Sequence, residues 1–143
     1  MYTAHLSLPA PTPPRVLIPL APSTVRAGFP SPATDYIEKL LDLNELLIKR
    51  KESTFFMRVG GVSMVEFGIN DRDLVVVDRA APHPNGSIVV ARVDGELVLK
   101  KLYKKNGIVK LEAGNKAYRD IEFREDGAEL EIWGVVTHVV HSF

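Results

Sequence analysis

From Thr54 onward the chain is written in short β-branched runs: TFFMRV, LVVVD, SIVVARV, ELVLKKL, GIVKLEA and LEIWGVVTHVV. Each is bounded by glycine, proline, asparagine or aspartate, the residues that turn a chain. The gaps are too short for the crossover helix that a parallel strand pair requires, so neighbouring strands are expected to run antiparallel. Asp94-Gly95, between two such runs, is a two-residue hairpin signal. Pro82, Pro84, Asn85 and Gly86 mark a further turn. The expectation for residues 54–143 is a compact, mainly β domain.

The segment before it is governed by proline. Pro9, Pro11, Pro13, Pro14, Pro19, Pro22, Pro30 and Pro32 are eight of the ten in the chain, and each fixes φ and removes an amide donor. Residues 1–30 therefore read as an extended arm rather than a helix, the plain alternative being a disordered tail without a role. Residues 31–53 read as a helical linker. Ser31 is placed to cap, Pro32 to occupy the first helical position, and Tyr36, Ile37, Leu40 and Leu41 have helix spacing. Asp42 followed by Glu45 resembles a capping box, opening a short helix with Leu43, Leu46 and Leu47 as its buried face.

Composition removes several functions. The chain has 18 basic and 18 acidic residues, a formal net charge of +0, so it lacks the basic excess of a dedicated nucleic-acid binder. No direct sequence-specific DNA binding is expected. It has no cysteine, which excludes disulfides, thiolate metal sites and cysteine catalysis and fits a reducing compartment. No apolar run approaches the ~18–20 residues that span a membrane, and the N-terminus lacks a signal peptide's basic start. The expectation is a cytoplasmic protein with no membrane association, no metal and no cofactor.

Hydroxyls and lysines remain as nucleophiles. Gly60-Gly61-Val62-Ser63-Met64 follows the run TFFMRV, and paired glycines permit a tight turn that lifts the serine into the open and frees backbone amides to face an oxyanion. A plain glycine turn ending a strand is the commoner use of such a segment. A serine needs a base. His5 lies in the arm, His83 in a proline turn, and His138 and His141 at a strand end; none has a triad-like setting. Lysine serves when burial lowers its pKa. In ELVLKKLY, Lys100 shares a face with Val98 and Leu102, and Lys101 with Leu99 and Tyr103. Both faces are apolar, so alternation does not choose between them, and a snorkelling edge lysine is the bland alternative.

These residues carry a resemblance. The blocks AGFPSPATDYIEKLLDLNELLI, SM followed by GINDRDLVVVDRA, GSIVVARVDGELVLKKL and WGVVTHVV occur in the order found in the UmuD/MucA branch of the self-cleaving serine–lysine peptidase family that includes the LexA repressor. The likeness runs from about Ala27 to Val140. It implies a compact LexA-type catalytic domain of short antiparallel strands in curved sheets, preceded by an extended arm and a short helical segment. It makes Ser63 the nucleophile, Lys100 the general base and Lys101 structural. It places the oxyanion donors at the Val62 and Ser63 amides and the cleavage site between Ala27 and Gly28.

The resemblance further implies a bacterial SOS-response homodimer whose self-cleavage is stimulated by a RecA filament on single-stranded DNA. The trimmed form would join a UmuC-like Y-family polymerase in translesion synthesis. Only 27 residues precede the cleavage position, too few for the helix-turn-helix domain of a repressor, which favours the UmuD branch. A non-enzymatic β module that recruits a partner, or a phage-repressor relative lacking its DNA-binding domain, is the alternative; a signal-peptidase-like enzyme would need a membrane anchor. Two departures stand out. Val62 replaces a polar or acidic residue before the serine, and Arg72 replaces a glycine in a turn whose backbone favours positive φ.

Overall fold

The computed structural model describes residues 13–21, 24–25, 27–28, 39–123 and 130–143. The chain divides into two compact units, Met1–Glu52 and Ser53–Phe143. In the first, strand β1 (Ile18–Leu20) pairs antiparallel with β2 (Lys39–Leu41), setting Ile18 opposite Leu41. Leu40 and Leu41, expected on a helix, are therefore strand residues. Their backbone pairs with residues some twenty positions earlier, which local spacing does not register. Ser31, Pro32, Tyr36 and Ile37 lie outside the described residues, as does His5.

Helix α1 (Leu43–Leu47) follows at once. Asp42 is its N-cap, with extended φ −104° and ψ 118°, and its Oδ1 accepts from the Asn44 amide at 2.9 Å. Among the described residues Glu45 does not return the bond to the Asp42 amide; its Oε1 lies 3.2 Å from Arg15 Nε instead. The expected buried face is also corrected. Leu43 and Leu46 are 56% and 54% exposed and Leu47 is only half-buried, because helix spacing marks an apolar face without supplying a surface to cover it.

The second unit is one seven-stranded antiparallel sheet in the order β3 (Thr54–Arg58), β4 (Leu74–Asp78), β9 (Leu130–Val140), β5 (Ile88–Val93), β6 (Glu96–Lys105), β7 (Ile108–Glu112) and β8 (Ile121–Phe123). The six β-branched runs are six of these strands; only the short β8 has no clear sequence signal. Asp94 and Gly95 take φ of 50° and 83°, and Asn106 and Gly107 take 52° and 73°, the left-handed pairs that match two-residue turns to strand twist. Along β9 the register shifts twice, leaving Trp133 and Thr137 as extra residues. Such bulges bend a strand and raise its twist. Among the described residues no helix is long and apolar enough to cross a membrane.

Both faces of the sheet are apolar. Met64, Ile69, Val75, Val77 and Val90 form one buried cluster, while Val89, Ala91, Leu102, Leu111 and Val135 form another. Successive residues of β5 and β6 alternate between the two: Val90 and Leu99 belong to the first, Val89, Val98 and Leu102 to the second. Each fully buried valine or leucine among them contributes about 1.5–3 kcal/mol.

The turn before β4 is tied to the end of β3. Val59 N donates to the Asp73 carbonyl and Arg72 N to the Val59 carbonyl, each at 2.8 Å. Arg72 adopts φ 70°, so the position does require positive φ and the arginine accepts it. Asp73 is 2% exposed; its carboxylate accepts from the Asn70 amide at 2.8 Å and from His141 Nδ1 at 2.5 Å. The Asn70 amide first, then the His141 imidazole, hold this carboxyl below its ordinary value against the opposing effect of burial. A carboxyl so depressed stabilises the fold above its unfolded value of about 3.9, and that stability is lost as pH falls through the lower folded value. Asp73→Asn should lower the urea midpoint at neutral pH and flatten its dependence between about pH 4 and pH 2. Coincident midpoint curves for the two proteins would refute this.

Candidate active site

β3 delivers the chain into Val59-Gly60-Gly61-Val62-Ser63, and Met64 closes the segment by burying all but 2% of its surface in the first cluster. A 3₁₀ turn over Val65–Phe67 follows, ending at Gly68 in the left-handed region. Serine is thus one residue from a fixed anchor. Gly61, at φ 93°, turns the chain where a side chain would be strained. Its amide donates to Asp71 Oδ1 at 2.7 Å.

A second loop, between β7 and β8, reaches the same turn. Gly114 N donates to the Ser63 carbonyl at 2.6 Å, and Glu66 N donates back to the Gly114 carbonyl at 2.7 Å. Asn115 Nδ2 donates to the Val62 carbonyl at 3.0 Å. Val62 therefore meets the surrounding protein through its backbone, while the residue as a whole is 45% exposed. Among the described residues neither the Val62 nor the Ser63 amide donates a hydrogen bond, so both remain able to serve an incoming oxygen.

Opposite the turn stands β6. Ser63 and Lys100 line one cavity of about 190 Å³, with Val59, Gly60, Gly61 and Met64 on the serine side and Leu97, Val98 and Leu99 on the lysine side. A neighbouring cavity of about 140 Å³ shares Val59, Gly60, Leu97, Val98 and Leu99 and continues past Met57 and Arg58. The two adjoin to make a groove between the end of β3 and the start of β6.

Lys100 pairs across to Val89 and is only 9% exposed. Desolvation pushes its ammonium below the ordinary lysine value, and the charge of Asp120 opposes part of that shift. The Tyr118 ring centroid lies 5.8 Å from its Nζ. Among the described residues Ser63 Oγ and Lys100 Nζ share the cavity without hydrogen-bonding each other. Lys101 is half-buried on the other face, its Nζ 5.0 Å from the Phe67 ring centroid, and does not line the cavity.

The described histidines are elsewhere. His83 Nδ1 lies 3.4 Å from Lys104 Nζ, His138 Nδ1 lies 3.1 Å from Thr137 Oγ1, and His141 is bound to Asp73. Among the described residues no group of histidine and carboxylate side chains could hold a metal ion. A serine on a pinned turn, an amine inclined to lose its proton and two available amides have the makings of acyl-transfer chemistry. The sequence reading missed Gly114, Asn115, Tyr118 and Asp120. Their only local signal is a polar, turn-forming stretch after β7.

The chain belongs to the Peptidase S24-like family, which matches residues 19–137. Its LexA-type fold is the open, antiparallel β architecture described above. Among individual proteins it is 45% identical over 125 residues to the protein ImpA of Escherichia coli, covering 86% of this chain and 83% of that one. It is 44% identical over 137 residues to the protein SamA of Salmonella typhimurium, covering 96% and 94%. It is 37% identical over 118 residues to the LexA repressor of Geotalea uraniireducens, covering 82% of this chain and 58% of the repressor.

Holding Lys100 in this setting costs stability while the amine is charged. Below its folded pKa the penalty is present in full; as pH rises from there toward the unfolded value of about 10.4 it disappears. Lys100→Met should therefore be at least as stable as wild type at neutral pH, with the difference shrinking at alkaline pH. Urea unfolding of both proteins at about pH 7 and pH 10 checks this, and a methionine variant less stable at neutral pH would contradict it.

Proposed function

We propose that this protein cleaves its own chain between Ala27 and Gly28, with Ser63 as nucleophile and Lys100 as general base. The observation that carries the reading is the shared cavity: a serine on a pinned glycine turn and a desolvated lysine both line it, and among the described residues no histidine does. Neutral Lys100 Nζ takes the Ser63 Oγ proton as Oγ attacks the Ala27 carbonyl carbon. The oxyanion is met by the Val62 and Ser63 amides. Lys100 then returns the proton to the Gly28 nitrogen as the Ala27–Gly28 bond breaks, leaving Ala27 esterified to Ser63. Water, deprotonated by the same amine, hydrolyses the ester.

Residues 1–30 are the cleavable arm, 31–53 a linker and 54–143 the catalytic and dimerisation domain. A tethered substrate arrives at high effective concentration, so the groove needs little further specificity. The absence of a Ser63–Lys100 hydrogen bond suits a resting protein that an activator must bring to the productive geometry. Kinship with ImpA, SamA, MucA and a LexA repressor supports a bacterial, cytoplasmic SOS setting. There a homodimer is stimulated by a RecA–single-stranded DNA filament, and its trimmed form serves an error-prone UmuC-like polymerase. No cofactor is required.

Ser63→Ala and Lys100→Ala should each lower self-cleavage at least about a thousandfold in folded protein, while Lys101→Ala stays active. Intact mass should report fragments 1–27 and 28–143; another primary junction would refute the site. The rate should climb with pH through the depressed Lys100 pKa. Removing the opposing charge with Asp120→Asn should move that rise toward lower pH. A profile flat from about pH 7.5, or activity lost in a still-folded variant of His83, His138 or His141, would exclude Lys100 as the base.

A further inference from the structure

Asn115 lies far from the dyad in sequence, yet its side chain grips the residue before the nucleophile. The peptide joining Val62 to Ser63 is planar and trans, so its carbonyl and its N–H point in opposite directions. Whatever holds the Val62 oxygen therefore also aims the Ser63 N–H. Asn115 Nδ2 holds that oxygen at 3.0 Å. The asparagine is itself fixed at both ends: its Oδ1 accepts from Ala117 N at 2.9 Å, and its main-chain carbonyl accepts from Tyr118 N at 3.0 Å.

Gly114 repeats the arrangement one peptide later, its N–H holding the Ser63 carbonyl at 2.6 Å. A Cβ on residue 114 would fall 2.6 Å from Phe67 Cδ2 and 3.1 Å from the Met64 Cα, so only glycine lets the loop come this close. Two consecutive peptides of the nucleophile turn are thereby clamped by one loop.

We infer that Asn115 is a positioning residue for the oxyanion site: by fixing the Val62–Ser63 peptide plane it aims the Ser63 amide at the developing oxyanion. This rests on the self-cleavage proposed above. Donors to an oxyanion must be in place before the reaction, and removing one costs about 10²–10³ in rate. Loosening one rather than removing it should cost about 10- to 100-fold. Asn115 is neutral and does not charge the base, so the loss should appear in the alkaline plateau of the rate and leave its pH midpoint unmoved.

The test is self-cleavage of the full chain across about pH 7 to 10.5 for wild type, Ser63→Ala, Asn115→Ala and Asn115→Asp, each checked for folding by circular dichroism. Asn115→Asp keeps the acceptor for Ala117 N and loses the donor to Val62. A role confined to the loop's own structure would leave it active, whereas the positioning role predicts a plateau as low as that of Asn115→Ala. A plateau within about twofold of wild type in either folded variant, or a midpoint shift alone in Asn115→Ala, overturns the inference while the dyad stands. If Asn115→Ala does not fold, the Asn115→Asp plateau decides by the same criterion. Undiminished cleavage by folded Ser63→Ala would instead sink the dyad and this inference with it.

Discussion

The burial of apolar side chains on both faces of the seven-stranded sheet is the constraint from which the site follows. A sheet covered on one side only would leave one of β6's two lysines in water and the other in the core. Here each face carries its own cluster, and Lys100, flanked by Val98 and Leu102 and paired with Val89, is enclosed where its charge is poorly solvated. Its amine is thereby inclined toward the neutral form that can accept a proton. The same burial that gives the domain its core lowers the pKa of the lysine, and the cost falls on stability.

The serine is positioned by a different means. Met64 fixes the turn from beneath, Asp71 holds the Gly61 amide, and Gly114 and Asn115 hold the carbonyls of Ser63 and Val62. The Asp71, Gly114 and Asn115 contacts each satisfy a backbone group that a tight turn would otherwise leave without a protein partner. Together they leave the Val62 and Ser63 amides unused among the described residues. Fixing carbonyls by neighbours while sparing the amides is what a preorganised oxyanion site demands.

The first unit shows where local reading fails. Asp42 was legible as an N-cap because a side-chain acceptor beside the first turn is a local device, though it accepts from the Asn44 amide rather than from the Glu45 amide of a capping box. Leu40 and Leu41 were misread because strand pairing with Ile18 and Pro19 outweighs their own helix spacing. Leu43 and Leu46 were misread because apolar spacing says which face could be buried, not whether anything is there to bury it.

The sequence by itself determined the strand runs, their antiparallel sense and the Asp94-Gly95 hairpin, because alternation and turn chemistry are local properties of the chain. It also singled out Ser63 after its glycines, whereas Arg72 stood out only against the family pattern. Between Lys100 and Lys101 alternation was silent, and only the family resemblance pointed to Lys100. The tertiary structure separates them physically: one lines the groove with Ser63, the other lies over Phe67. It alone brings Asn115 to Val62, across 53 positions of sequence, because the β7–β8 loop packs back onto the glycine turn that carries Ser63. A contact of that range is set by how the strands are ordered in the sheet, which no local window of residues encodes.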